Sequence, residues 1–362
     1  ALTKNMLFTN RVMTFMMPLM MFIMYGVSIL IVWVSTDKIN TGTIQVGTMT
    51  AFITYSMQIV MAFLMITMFS VMLPRASVSA ERIDEVLNTK VSIEDKPDTK
   101  ANPVANGEVV FEHVSFAYPG AKENVLEDIS FVAKTGQTTA IIGGTGSGKT
   151  TLVNLIPRFF DVTKGKVMID GTDIREMSQE SLREAIGYVP QKGVLFSGTI
   201  DSNLRYGKED ATKEQVMEAA RIAQAKEIID GKKDGLDSAI AQGGSNVSGG
   251  QKQRFSIARA IVKDPKIYIF DDSFSALDYK TDAILRRELS KKTKEAAVII
   301  VAQRISTILH AEQIIVLDEG KVAGIGTHQE LFDHCAVYRE IAESQLSEAD
   351  IAKLKAQGKE VM

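Results

Sequence analysis

Cysteine is almost missing from this sequence: Cys335 is the only one in 362 residues. A single thiol excludes an internal disulfide framework. The four histidines (His113, His310, His328 and His334) fall at no spacing that would close a zinc or iron–sulfur site. Charge of one sign is missing too. Lys and Arg number 41 against 44 Asp and Glu, a formal net charge of -3. That balance gives no support for nucleic acid as a partner. Tryptophan occurs once, at Trp33. No secretory leader is expected at this start, because a charged start, a short apolar core and a small-residue cleavage site do not follow one another. The chain opens Ala1-Leu2-Thr3-Lys4 without an initiator methionine, and the expectation is a C-terminal fragment of a longer protein.

The most informative absence is local. No residue is charged from Val12 to Thr36, and none from Ile39 to Pro74. Soluble helices of such length carry a polar stripe. A helix rises about 1.5 Å per residue, so roughly 20 apolar residues cross a bilayer. Two membrane spans are predicted, over 12–35 and 48–74, inside a region covering 1–75. Trp33 is placed as an interfacial anchor. Pro18 and Gly26 are tolerable within a membrane helix, with a kink expected at Pro18. Lys4, Arg11, Arg75 and Arg82 flank the spans on one side, which puts both ends in the cytoplasm of a multi-pass cell-membrane protein. Two spans cannot enclose a solute path alone, so other sequence or other chains must complete it.

Thirteen of the 17 methionines precede residue 75. Met57, Met61, Met65, Met68 and Met72 recur at three- and four-residue steps and share a helix face. That face is either lipid-facing or helix-packing surface, or a soft lining for varied hydrophobic solutes. Gln58 either faces a cavity or bonds another helix. The connector is assigned to 76–106. Arg75 to Leu87 continues the second helix, and Asn88 to Asn106, with Pro97 and Pro103, is a linker by composition.

From Gly107 the pattern changes to alternating strands and helices. Val109, Phe111, Val114 and Phe116 alternate in the strand manner. The apolar run Thr138 to Ile142 leads into Gly143-Gly144-Thr145-Gly146-Ser147-Gly148-Lys149-Thr150, the complete phosphate-binding P-loop pattern, followed by Thr151. Its glycines let backbone N–H groups turn inward around phosphate oxygens. Lys149 is expected on the β- and γ-phosphates of ATP, and Thr150 on Mg²⁺. Ile267-Tyr268-Ile269-Phe270-Asp271 is an apolar strand ending in a carboxylate, expected beside the P-loop strand with Asp271 in the Mg²⁺ shell. Between the two lies Ser248-Gly249-Gly250-Gln251, where Ser248 caps a helix expected over Gln251 to Val262.

The order P-loop, Gln191, Val247 to Gln251, Asp271, Ser275 to Asp278 resembles the nucleotide-binding domain of ABC transporters. The two preceding spans are similar to the last two helices of an exporter-type membrane domain. The fold class implied is transmembrane α-helices plus an α/β P-loop NTPase domain of ABC type, with an antiparallel β subdomain and a helical subdomain. The nucleotide domain covers 107–345, with closing helices from Gln329 and a charged tail over 346–362. By position, Tyr118 stacks on adenine, and Gln191 touches Mg²⁺ and senses the membrane domain. The loop Lys192 to Ile200 receives a coupling helix. Ser248, Gly249, Gly250 and Gln251 cap ATP on the opposite subunit, and Asp278 crosses the interface.

Two positions depart from the family. A glutamate base normally follows the Asp271 position, but here Asp272 stands, one methylene and roughly 1.5 Å shorter. Gln303 stands where a switch histidine is usual, and glutamine does not titrate as imidazole does. Val247 replaces the usual leucine in an otherwise intact signature. The resemblance implies the hydrolysis-degenerate half of a heterodimeric multidrug exporter. It would bind ATP and Mg²⁺, touch membrane lipid, pair with an unlike subunit, move a hydrophobic small molecule outward and ignore nucleic acid. Two other classes compete: a regulatory ATP-binding subunit that gates a channel, and a soluble ABC ATPase, against which the uncharged runs speak.

Overall fold

The computed structural model describes residues 2–97, 99 and 103–345. It divides into two compact units, Ala1–Val91 and Ser92–Met362. The tail expected over 346–362 lies outside the described residues.

The first unit is two helices, Leu2–Asn40 and Val46–Leu87, of 39 and 42 residues. Both are long and apolar enough to cross a membrane. At about 1.5 Å per residue each exceeds the ~30 Å hydrocarbon core, so apolar stretch and helix are not coextensive. The expected continuation Arg75 to Leu87 lies in the same uninterrupted helix as the second span. Pro18 and Pro74 sit inside the helices. Hydroxyls close back on their own helix: Thr14 donates to the Asn10 carbonyl at 2.8 Å, Ser28 to Met24 at 2.9 Å and Thr67 to Phe63 at 2.9 Å. These bonds remove polar groups that hydrocarbon could not solvate. A cavity of about 520 Å³ between the helices is lined by Met13, Met16 and Met17 from one and Met61, Met65, Met68 and Met72 from the other, with Arg75 at its edge.

The second unit is built on a six-stranded sheet in the order Lys321–Gly326, Gln313–Asp318, Thr138–Gly143, Ala297–Val301, Ile267–Asp271, Ile186–Val189. The last five strands are parallel, and only Lys321–Gly326 runs against its neighbour. Such a sheet must be covered on both faces, which is why Ile267–Asp271 and Ala297–Val301 are buried at every position. A second, antiparallel sheet of Leu126–Ala133, Val109–Phe116, Lys164–Ile169 and Thr172–Asp173 shares one core with the helix Lys149–Leu155. A helical layer, including Lys213–Ile222 and Gly249–Lys263, shares the other core.

One expectation is corrected. The strand ending in Asp271 is not beside the P-loop strand. Ala297–Val301 lies between them, with Val301 level with both Ile141 and Asp271. The strand delivering Gln303 thus takes the central place, and three carboxyl ends converge. Ligands in open α/β sheets bind at that edge.

Entry into the second unit is fixed by one carboxylate. Asp170 accepts from four successive backbone N–H groups: Ala105, Asn106, Gly107 and Glu108, all at 2.9–3.0 Å. Burial pushes its pKa up, but the four N–H bonds outweigh that and hold it below the usual carboxylate value. Asp170→Asn should cost this unit about 1–3 kcal/mol at neutral pH, measured by urea unfolding. A depressed folded pKa gives stability that is present above the unfolded value of about 3.9 and lost as pH falls through the folded one. The gap between wild type and variant should therefore close in acid.

Candidate nucleotide-binding site

The P-loop joins the strand Thr138–Gly143 to the helix Lys149–Leu155. Gly146 and Gly148 hold φ of 84° and 94°, a region closed to most side chains. A Cβ on Gly148 would lie 2.7 Å from the Leu126 side chain, whereas one on Gly146 would meet nothing within 4 Å. One glycine therefore lets the antiparallel sheet close on the loop, and the other leaves open space for a ligand. The Lys149 ammonium donates to the Gly143 carbonyl at 2.9 Å and the Gly144 carbonyl at 2.6 Å. Burial pulls its pKa below the usual lysine range, against the attraction of Asp272 and Asp271. A cation held by its own loop's carbonyls and the Ser147 hydroxyl fits a polyphosphate ligand.

Thr150 donates its hydroxyl to Asp271 Oδ1 at 3.1 Å. Asp271 is 2% exposed, and burial pushes its pKa up against the bonds from Thr150 and Tyr188. A hydroxyl and one carboxylate, all oxygen donors, fit Mg²⁺, which takes few protein ligands and completes its shell with phosphate and water. Among the described residues no cluster of three His, Cys, Asp or Glu side chains competes for a metal. Tyr118 lies near the loop: its hydroxyl is 2.9 Å from Thr151 Oγ1, and its ring meets Phe116 and Phe160 edge-on.

Asp272 follows Asp271 with φ of 47° and is 6% exposed. Its Oδ2 accepts from the Gln303 side-chain amide at 2.7 Å and the Gln191 side-chain amide at 3.0 Å. The structure thus brings the three expected catalytic positions together on one oxygen atom. Gln191 is engaged with Asp272, not with the Thr150–Asp271 pair.

Ser248 to Gln251 stand apart: no described hydrogen bond joins them to the P-loop. Ser248 caps the helix Gly249–Lys263, two residues longer at its start and one at its end than expected, and Gln251 answers its backbone N–H in a capping box. Gln251 is thereby committed to the cap, leaving the Gly249 and Gly250 amides at the helix start. A Cβ on Gly250 would lie 3.3 Å from the Ala276 carbonyl, so the signature abuts the Ser275–Asp278 loop. Asp278 caps the next helix through Thr281 N at 3.0 Å.

Sequence reasoning missed Tyr188, whose hydroxyl donates to Asn154 at 3.0 Å and to Asp271 Oδ2 at 3.4 Å. Its one signal was a place three residues before Gln191. It also missed Arg259, whose guanidinium packs on Phe196 and Tyr206 at 5.4 and 5.7 Å. Val194, Phe196 and Tyr206 leave an exposed apolar patch there.

Lys149→Ala removes the one cation in the cradle. ATP affinity should fall about 10–100-fold, the cost of lost charge-assisted hydrogen bonds, as read by titration calorimetry with the melting temperature unchanged.

Residues 126–275 match the family model described as ABC transporter. The chain is 46% identical, over 97% of its length, to an ABC transporter ATP-binding protein of Mycobacterium bovis, of which it covers 61%. It is 37% identical, over 83% of its length, to the ATP-dependent lipid A-core flippase of Desulfotalea psychrophila, covering 52% of that protein. A solved bacterial Atm1-family ABC exporter with ATP bound superposes with a TM-score of 0.80 at 30% identity, over 96% of this chain and 61% of that one. The chain thus spans about three fifths or less of these relatives. Its fold is that of the ABC exporters: transmembrane helices, followed by a cytoplasmic ABC-type P-loop NTPase domain.

Proposed function

We propose that this chain supplies one half of an ATP-driven exporter of hydrophobic solutes or drugs, pairing with a second, unlike ABC subunit. Its own site holds ATP and Mg²⁺ and hydrolyses slowly. Its Ser248–Gln251 segment completes the site that cleaves ATP on the partner.

The observation that carries this reading is the pair of hydrogen bonds that Asp272 Oδ2 accepts. A general base must lie within about 2.6–3.2 Å of the water it polarises. Asp272 is a methylene shorter than glutamate, and the same oxygen already serves two amides. A misplacement of about 1 Å can cost ~100-fold in rate. Binding is not compromised in the same way. Lys149 and the loop N–H groups hold the phosphates, Tyr118 stacks on the base, and Thr150 with Asp271 would hold Mg²⁺. When bound there, the metal would supply neutralisation of phosphate charge. In this structure Gln303 is bonded to Asp272.

The signature segment supports the second half of the proposal. The 15-residue helix Gly249–Lys263 presents glycine amides at its start, suited to a phosphate held by another subunit. The patch of Val194, Phe196, Tyr206 and Arg259 is offered as the seat of an intracellular helix that carries domain closure to the membrane helices. The methionine-lined cavity suits an adaptable, hydrophobic cargo.

The experiment is ATPase turnover of defined assemblies in lipid nanodiscs. Assemblies holding only copies of this chain should turn over slowly, and assemblies with the unlike subunit quickly. In the mixed assembly Ser248→Arg should abolish turnover, whereas Asp272→Ala should change it less than about threefold, within the spread of a non-catalytic site. Loss of all activity in Asp272→Ala, with Ser248→Arg silent, would reverse the assignment.

A further inference from the structure

The loop that carries Gln303 is held from behind by a residue outside every nucleotide motif. Gln345 is the last described residue of the helix Ala336–Gln345. Its side-chain oxygen accepts from Ile305 N at 2.9 Å, and its amide donates to the Gln303 carbonyl at 2.8 Å. One carboxamide therefore brackets both ends of the tripeptide Gln303-Arg304-Ile305. The helix behind it is a firm anchor: Tyr338 and Ala342 are fully buried, and the Tyr338 hydroxyl lies 2.7 Å from His328 Nδ1. Between the bracketed ends, Arg304 donates to the Ser275 carbonyl at 3.3 Å and packs on the Tyr279 ring at 5.4 Å. Ser275 in turn donates its hydroxyl to the Asp272 carbonyl at 2.9 Å.

We propose that Gln345 is a positioning residue of the nucleotide site, resting on the reading of that site given above. It fixes the backbone from which Gln303 reaches Asp272 in one state and the γ-phosphate in the other. With the bracket intact, Gln303 exchanges partners by turning its side chain alone. With the bracket removed, two backbone hydrogen bonds are lost, the tripeptide loosens, and the γ-phosphate loses a preorganised donor. The closing helix of the domain thus bears on how long ATP stays bound, although Gln345 touches neither nucleotide nor metal. Gln345 is exposed, so its replacement leaves the core intact.

The test uses the full chain assembled with its partner, the partner's P-loop lysine being replaced so that only this chain's site fills. The readout is the dissociation rate of a fluorescent ATP analogue. Gln345→Ala should speed release about tenfold, the coupling expected within one hydrogen-bond network. Gln345→Glu should do at least as much, because it keeps the acceptor for Ile305 N but sets a carboxylate against the Gln303 carbonyl. Neither should add to Gln303→Ala, since Gln345 acts through Gln303. Fast release from Gln303→Ala with wild-type release from Gln345→Ala overturns the role of Gln345 and leaves the reading of the site standing. So does a Gln345→Ala effect that persists in full on the Gln303→Ala background. Wild-type release from Gln303→Ala overturns both.

Discussion

Two side-chain amides bond one carboxylate oxygen, Asp272 Oδ2, and the account of this site depends on that arrangement. A carboxylate in this position is 6% exposed, and a buried charge must be satisfied by donors. Glutamine is a donor that carries no titratable proton, so Gln303 bonds Asp272 without a change in its own charge. The two departures from the family pattern are therefore one physical unit. A short acid draws an amide in, and the amide keeps the acid turned toward the protein.

The rest of the domain sets the distances at which this happens. Parallel pairing of Thr138–Gly143, Ala297–Val301 and Ile267–Asp271 brings the P-loop, Gln303 and Asp271–Asp272 to one sheet edge. The central strand carries the switch position, so Gln303 falls between the phosphate cradle and the carboxylate pair. Burial then sharpens the electrostatics. Lys149 is pulled below its ordinary range and Asp271 pushed above its own, each by desolvation, and bound polyphosphate and metal would relieve both. On the proposed reading, the site keeps its binding groups while Asp272 is held away from water by its two amide partners.

Much of this was legible in the sequence because it is written in contiguous motifs. The P-loop, the N-cap Ser248, the apolar strand before Asp271 and the uncharged runs before Arg75 each fall within one short window. What was not legible depends on pairing between distant segments. The insertion of Ala297–Val301 between the P-loop strand and the Asp271 strand is a matter of sheet order, which no local pattern encodes. Asp170 meets Ala105–Glu108, and Gln345 meets Gln303 and Ile305, through contacts separated by 62–65 and 40–42 positions. A polar residue at the end of a helix reads as ordinary surface until its partner is known. Gln191 shows the converse. Its motif was readable, but its partner, Asp272 instead of the Thr150–Asp271 pair, was visible only in the fold.

The central claim is most directly tested by single-turnover hydrolysis at this chain's own site, in an assembly whose partner has lost its catalytic carboxylate. The account predicts little product from the wild-type chain and a gain of at least about tenfold when Asp272→Glu and Gln303→His are introduced together. Hydrolysis by the unaltered chain as fast as that of the intact assembly would contradict it.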